Sequence, residues 1–171
     1  MITWSVKNLV SIVSGFENGH FFDSRTKVFV WDVEGVIVLK NGHKGHAYDG
    51  WKVNPEAEEV LSLATRADSG HRNVYWCSKD AFGVGDFFPS DAHRSLVEHE
   101  PFNRVNLYVI GLNLRTDGEA EKNLPLLHPN LSNVAAAEDD NYFKPANRVI
   151  RYNQDRPLRL VYQTMREIAG I

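Results

Sequence analysis

The stretch Lys27-Val-Phe-Val-Trp-Asp32-Val-Glu34-Gly35 decides how the chain folds. Four consecutive apolar residues precede an acidic one, a pattern typical of a short strand buried on both faces of a sheet. The carboxyl end of such a strand is the edge at which parallel α/β sheets gather their functional groups. The stretch therefore predicts a central strand and, at its end, a candidate site residue in Asp32.

Four further apolar segments predict the other strands of the sheet. They are Asn73-Val-Tyr-Trp-Cys-Ser78, Val105-Asn-Leu-Tyr-Val-Ile-Gly111, Val134-Ala-Ala-Ala137 and Arg148-Val-Ile-Arg151. Helices are predicted between and after them: one capped by Asn54 and stopped by Gly70, one between Ser90 and Pro101, and one from Asp155 to Ala169. Strands alternating with helices indicate an α/β domain. We expect a three-layer, Rossmann-like, doubly wound sheet of about five parallel strands.

The totals predict one domain spanning residues 1–171, because no repeat or linker interrupts a chain of ordinary globular composition. Residues 1–26 are predicted to be an N-terminal helical extension, with a signal peptide as the less favoured alternative. The apolar residues that recur there at helical spacing are Ile2, Val6, Leu9, Val13 and Phe16.

Cysteine content and charge narrow the possible classes of protein. The single cysteine, Cys77, excludes an internal disulfide framework and predicts a reducing, cytoplasmic compartment. Nineteen basic residues against 22 acidic ones leave a net charge of −3, so no bulk attraction to nucleic acid is implied. No apolar run reaches the length of a membrane span, and no membrane partner is expected.

Acidic residues end two of the predicted strands, and a hydroxyl ends a third. Asp32 and Glu34 follow the first strand, Ser78 and Lys79 the second, and Glu138-Asp139-Asp140 the fourth. Carboxylates gathered at one edge repel one another unless a cation lies between them, and Mg²⁺ prefers such oxygen ligands. A carboxylate can also attack phosphorus, while a second carboxyl group acts as general acid and base.

These parts predict a site for phosphoryl transfer. Asp32 is the candidate nucleophile and Glu34 the candidate acid/base. Substrate-binding groups are expected from Ser78, Lys79 and Lys122, since a hydroxyl and ammonium groups hold phosphoryl oxygens. The candidate Mg²⁺ ligands are Asp32, Glu34, Asp139 and Asp140, with Asp139 favoured over Asp140 because it lies nearer the strand end.

The order of these segments resembles the four motifs of the haloacid dehalogenase superfamily. The resemblance runs from about residue 27 to residue 151. It implies Mg²⁺-dependent hydrolysis of phosphomonoesters through an aspartyl-phosphate on Asp32, with the backbone carbonyl of Glu34 on the metal. Most superfamily phosphatases carry Asp where this chain has Glu34, although enolase-phosphatases share the Asp-x-Glu-Gly signature.

The loop from Leu39 to Val53 is too short for a cap domain. An open site is thus implied, which suits phosphorylated substrates as large as macromolecules.

Each motif also has a purely structural interpretation. Asp32-Val-Glu34-Gly35 is compatible with a strand that runs into a turn, and Ser78 with a helix N-cap. Lys122 suits the solvated face of a helix, and Asp139 with Asp140 a surface acidic cluster.

Two other functions stay open at the level of sequence. One is a phosphate- or protein-binding module that has the fold without turnover. The other is a nucleic-acid end phosphatase, which a basic groove beside Asp32, built from residues such as Arg66, Arg72 and Lys79, would favour.

Overall fold

A computed structural model describes residues 9–11, 21–40, 51–77, 90–114, 117, 120–153 and 155–171. In chain order, its strands are β1 (Leu9–Ser11), β2 (Val28–Asp32), β3 (Val38–Lys40), β4 (Trp51–Val53), β5 (Arg72–Cys77), β6 (Leu107–Ile110), β7 (Asn113–Leu114), β8 (Ala120–Asn123), β9 (Val134–Glu138), β10 (Phe143–Lys144) and β11 (Val149–Arg151). The α-helices are α1 (Pro55–Ala64), α2 (Asp91–Glu98) and α3 (Leu158–Ile168). Single turns of 3₁₀ helix occupy Phe102–Arg104, Leu124–Leu126, Leu131–Asn133 and Ala146–Arg148.

A parallel sheet with strand order β1-β6-β5-β2-β9-β11 forms the centre of the molecule. Every neighbouring pair in it is parallel, and β2 lies between β5 and β9. The five strands predicted from apolar runs are confirmed as β2, β5, β6, β9 and β11, with ends shifted by one or two residues. The chain therefore has an α/β fold with a mostly parallel sheet.

The prediction of a helix at the N-terminus is wrong for Leu9–Ser11, which is the edge strand β1. The rest of the predicted extension is described only from residue 21 onward and contains no helix there. A short run of apolar and β-branched residues fits either a helix or a strand by its periodicity. The free edge of β6 decides the outcome, because Leu9 pairs with Tyr108 and gives that edge a hydrogen-bonding partner.

Alternate residues of the central strands face two separate apolar clusters. On one face, residues such as Phe29, Trp31 and Tyr75 pack against all three α-helices. On the other face, residues such as Val30 and Trp76 pack with Leu124, Leu127 and Phe143, which lie outside the central sheet. Every residue of β2 is buried, as its unbroken apolar run predicts.

The helices begin where the sequence predicts and end differently. The Asn54 side chain caps α1 by accepting from the backbone N–H of Glu56, and Ser90 caps α2 by accepting from that of His93. The prediction that Gly70 stops α1 is wrong: the helix ends at Ala64, and Gly70 lies in a later turn with φ of 85°.

Two further expectations are corrected outside the central sheet. The stretch from Leu39 to Val53, expected to be loop, contributes the antiparallel pair β3 and β4, with Val38 opposite Val53. Lys122 was expected on a helix, but it lies on β8, beside Phe143 of the parallel strand β10. In both places hydrogen-bonding partners distant in the chain decide the local structure. Within the described part of the chain, no helix is both long and apolar enough to cross a membrane.

Candidate active site

Asp32 lies at the carboxyl end of β2 and its side chain is buried. The chain then turns tightly: the backbone N–H groups of Ile37 and Val38 both donate to the carbonyl of Val33, at 3.1 and 2.8 Å. Gly35 adopts a φ of 99° in this turn, a left-handed conformation that side chains other than glycine rarely adopt. The turn thereby brings Glu34 back to the same edge of the sheet as Asp32.

The ammonium of Lys122, a residue of β8, also lies at this edge of the sheet. Its Nζ donates to Oδ1 of Asp32 at 2.5 Å and to the carbonyl of Trp76 at 3.3 Å. Both charged side chains are nearly inaccessible to solvent, at 1% for Lys122 and 5% for Asp32. The interpretation of Lys122 as a solvated helix residue is therefore wrong, because this lysine is buried in an ion pair with Asp32.

Burial raises the pKa of the Asp32 carboxyl well above its ordinary value, and the neighbouring Lys122 ammonium offsets only part of that effect. The Asp139 carboxylate interacts with Asp32 through a side-chain contact and by charge, and raises the pKa of Asp32 further. Burial also disfavours the charged form of Lys122, but the attraction of Asp32 outweighs it and raises the pKa of the ammonium. The exposed Asp139 thus adds a second carboxylate beside the buried pair of Asp32 and Lys122.

Asp139 directly follows β9 and lies over the turn at Gly35. A Cβ atom on Gly35 would overlap the Asp139 carboxylate, so the absent side chain makes room for this acid. The contact places Asp139 beside Asp32 although 107 residues separate them in the sequence. Two acids held this close repel one another unless a cation or proton lies between them.

The other two acids of this motif have different surroundings. Asp140 is exposed, as Asp139 is, but its Oδ1 accepts from the backbone N–H of Asn141 at 2.9 Å. Glu138 is buried and accepts from the backbone N–H groups of Tyr142 and Phe143, and burial raises its pKa to about 7. Glu138 therefore holds the loop that carries Asp139, a role that the sequence does not indicate.

The Glu34 carboxylate is mostly buried, with 13% of its side chain exposed. Neither of its oxygens receives a hydrogen bond from the described residues. Among the described residues, His93 is a potential ion-pair partner of Glu34, with its Nε2 3.8 Å from Oε1. The sequence around His93 predicts only the start of α2, because nothing in the local pattern relates His93 to a glutamate 59 residues earlier.

These groups form the floor of a pocket with a volume of about 850 Å³. The hairpin of β3 and β4 and the segments after β9 and β11 form its walls. The candidate site residues and the Gly35 turn line it, namely Asp32, Glu34, Gly35, Lys122, Asp139 and Asp140. The other lining residues are Leu39, Lys40, Trp51, Lys52, Val53, Pro55, Tyr142, Tyr152 and Asn153. All the predicted site residues within the described ranges thus line one pocket. Ser78 and Lys79 lie outside the described residues.

Arg66 and Arg72 do not lie beside Asp32. They therefore do not form the basic groove that would favour a nucleic-acid end phosphatase. Both line a second pocket of about 650 Å³, together with Arg25, Lys27 and Arg104. Arg72 begins β5 opposite Val28, whereas Asp32 ends β2. The two pockets therefore open at opposite edges of the sheet.

The donor set at Asp32 suits a hard cation. Among the residues that the structure describes, no group of three or more His, Cys, Asp or Glu side chains forms a complete metal site. Mg²⁺ does not require one, because it is commonly held by one or two carboxylates, with water and substrate phosphate completing the shell. The buried carboxylate of Asp32 and the exposed carboxylate of Asp139 beside it fit that pattern.

Comparison with known proteins adds no relative to this description. No protein-family model matches the chain, and no curated protein matches it. The residues of the pocket and their chemistry therefore provide the grounds for a functional assignment.

Proposed function

We propose that the chain is a Mg²⁺-dependent phosphatase of the haloacid dehalogenase type, which hydrolyses phosphomonoesters through an aspartyl-phosphate. The observation that carries the proposal is the buried pair of Asp32 and Lys122 with the Asp139 carboxylate beside it. Burying a lysine and a carboxylate at the carboxyl edge of a parallel sheet costs free energy of folding, which a purely structural role would not repay. It is useful where a phosphoryl group must be bound and its charge neutralised.

The proposed chemistry has two steps. In the first, a carboxylate oxygen of Asp32 attacks phosphorus, the bond from phosphorus to the ester oxygen breaks, and Glu34 donates its proton to the departing oxygen. In the second, the Glu34 carboxylate takes a proton from water. The resulting hydroxide attacks phosphorus, and inorganic phosphate leaves with Asp32 restored. Lys122 holds a phosphoryl oxygen throughout, and Ser78 with Lys79 are proposed to bind the others.

Mg²⁺ would be held by the carboxylates of Asp32 and Asp139 and by the backbone carbonyl of Glu34, with Asp140 as the alternative acid. When bound, it would neutralise negative charge on the phosphoryl group. The two carboxylates are the part of this shell that lies together around the Gly35 turn.

The strand order supports the same assignment. From β2 the chain proceeds outward through β5 and β6 on one side and through β9 and β11 on the other. We propose from this order a doubly wound, Rossmann-like sheet, whose topological switch would lie between β2 and β9, where ligands bind in such folds. We propose a minimal cap, formed by the antiparallel pair of β3 and β4, and hence an open site that admits macromolecular phosphoesters.

A cytoplasmic location is proposed from the single thiol Cys77, which is buried and free.

The test is phosphate release from p-nitrophenyl phosphate and from a panel of natural phosphomonoesters, with Mg²⁺ and with chelator. We expect Mg²⁺-dependent turnover in the wild type and a loss of about a thousandfold or more in Asp32→Asn. Asp68→Asn is the matched control, since Asp68 is exposed and paired with Arg66 away from the site. Mass spectrometry of acid-quenched enzyme should find the phosphoryl group on the peptide that contains Asp32.

A folded protein with no turnover on any member of the panel would contradict the proposal. Retained phosphate binding in that case would favour the binding module without catalysis.

A further inference from the structure

His93 lies between the start of α2 and the candidate acid/base. The histidine is fully buried, and its Nε2 is 3.8 Å from Oε1 of Glu34. The ring of Trp51, a residue that lines the pocket, packs against the imidazole at 5.7 Å between ring centroids and an interplanar angle of 60°. The imidazole is therefore packed in the interior, beside the Glu34 carboxylate.

The Ser90 hydroxyl lies beside the other ring nitrogen of His93. Its oxygen accepts from the backbone N–H of His93 at 3.2 Å and lies 2.7 Å from Nδ1. The cap uses a lone pair of the oxygen, so the hydroxyl keeps its hydrogen and can donate it to Nδ1. That arrangement leaves the ring N–H at Nε2, which lies 3.8 Å from Oε1 of Glu34.

A glutamate at this position needs such a partner more than an aspartate would. Its extra methylene adds a torsion, so the carboxyl group has more rotamers from which only some reach the leaving oxygen. Neither oxygen of Glu34 is hydrogen-bonded to another described residue. A shift of less than about 1 Å would bring Oε1 within hydrogen-bond distance of Nε2, and such contacts often tighten when substrate binds.

We propose that His93 is a positioning residue, which orients the Glu34 carboxyl for proton transfer to the leaving oxygen. The inference rests on the proposed function, because it assigns His93 a part in that reaction. His93 acts through Glu34 and touches neither the phosphoryl group nor the nucleophile. Its effect should therefore depend on how much the leaving group needs a proton.

The experiment compares kcat/KM for p-nitrophenyl phosphate, whose leaving group departs without protonation, with kcat/KM for an alkyl phosphate, whose leaving group must be protonated. The ratio kcat/KM reports the first step alone, whereas kcat also includes hydrolysis of the aspartyl-phosphate, in which Glu34 acts for both substrates. In His93→Phe we expect kcat/KM for the alkyl phosphate to fall about 10- to 100-fold, within the usual contribution of general acid catalysis. The kcat/KM for p-nitrophenyl phosphate should change less than about threefold. His93→Gln keeps an N–H donor near the position of Nε2 and should restore most of the loss.

His71→Phe is the matched control, because His71 is also buried but lies at the opposite edge of the sheet and lines the second pocket. It should lower kcat/KM for both substrates equally or not at all. If His93→Phe does not fold, Ser90→Ala removes the hydroxyl from Nδ1 and should produce the same selective loss at smaller size. Thermal unfolding of each variant identifies the folded ones.

Equal losses for the two leaving groups, or no recovery in His93→Gln, would overturn the role of His93 and leave the phosphatase assignment intact, provided that Asp32→Asn is inactive. Absence of turnover in the wild type with every phosphoester would overturn the phosphatase assignment and this inference together.

Discussion

At the scale of single residues, the site depends on charges that are buried in pairs. Lys122 donates a short hydrogen bond to Asp32, and both side chains are almost completely buried. Each charge is tolerated in the core because the other is present. Removing one partner should therefore affect the free energy of unfolding as well as any activity.

We expect Lys122→Met to lower the free energy of unfolding by about 3–5 kcal/mol, because it leaves Asp32 buried without its partner. In an Asp32→Asn background the same substitution should cost clearly less, since no carboxylate is then left unpaired. Urea unfolding of the four proteins measures the difference. An equal cost in both backgrounds would show that the two groups are not coupled.

The two candidate metal acids, Asp139 and Asp140, should differ in their response to Mg²⁺. Both are exposed, but Asp139 lies against Gly35 and interacts with Asp32, whereas Asp140 accepts from the backbone N–H of its neighbour Asn141. Millimolar Mg²⁺ should raise the Tm of the wild type by a few degrees, because an ion that binds the folded state stabilises it.

The rise in Tm should disappear in Asp139→Asn and persist in Asp140→Asn. KCl at the same ionic strength serves as the control. Loss of the rise in Asp140→Asn alone would assign the metal to the other acid.

At the scale of elements, Asn54 joins the turn at the site to two helices. Its Oδ1 accepts from the backbone N–H of Glu56 as the cap of α1. Its amide nitrogen donates to the carbonyl of Val36 at 2.8 Å and to the hydroxyl of Tyr152 at 3.0 Å. Glu56 in turn accepts from that hydroxyl and from the backbone N–H of Leu158 at the start of α3. The turn that carries Glu34 is thereby fastened to the helical layer.

We expect Asn54→Ala to cost about 2–4 kcal/mol, more than the roughly 1 kcal/mol of an ordinary N-cap, because it also removes two buried hydrogen bonds. Asn54→Asp is the informative comparison, as it keeps the cap acceptor and loses the amide donors. Chemical denaturation should place Asn54→Asp between the wild type and Asn54→Ala. Equal stability of Asn54→Asp and the wild type would show that the donated bonds contribute nothing.

At the scale of the whole molecule, stability at low pH should depend on the amino edge of the sheet. His71 stacks on Phe29 with 3.7 Å between ring centroids, and its Nε2 lies 2.9 Å from the hydroxyl of Tyr162. Burial lowers the pKa of His71 from 6.5 to about 4, with the charge of Arg166 adding to the effect and a backbone bond to Arg72 opposing it. The folded state thus keeps this ring neutral where the unfolded chain protonates it.

The direction of the pH effect follows from that difference in proton binding. Between pH 6.5 and about 4 the unfolded state binds the proton that the folded state refuses, so stability is lost as the pH falls through this window. The loss from this one group amounts to about 3 kcal/mol at most.

His71→Gln should make the free energy of unfolding fall less steeply from pH 7 to pH 4 than in the wild type, as measured by urea titrations at each pH. The variant keeps a polar side chain at the position but cannot be protonated, so the slopes isolate the histidine. Parallel slopes in the two proteins would exclude this origin for the acid sensitivity.

Local patterns in the sequence were enough to identify the α/β class, five parallel strands and the caps of α1 and α2. A strand buried on both faces requires an unbroken apolar run, and a helix start requires a side chain that accepts from its free N–H groups. Both requirements act over a few residues and can be read from them. The position of Asp32 at the end of β2 followed for the same reason.

Only the tertiary structure decided which side chains meet at that position. Lys122 pairs with Asp32 across 90 residues and lies on a strand where a helix was predicted, because β8 pairs with β10 and no local pattern encodes that partner. The contacts of Asp139 with Gly35 and of His93 with Glu34 likewise depend on the order of the strands and on the turn between them. Residue types and short periods therefore determined the elements, while long-range packing and burial determined the charges and contacts of the site.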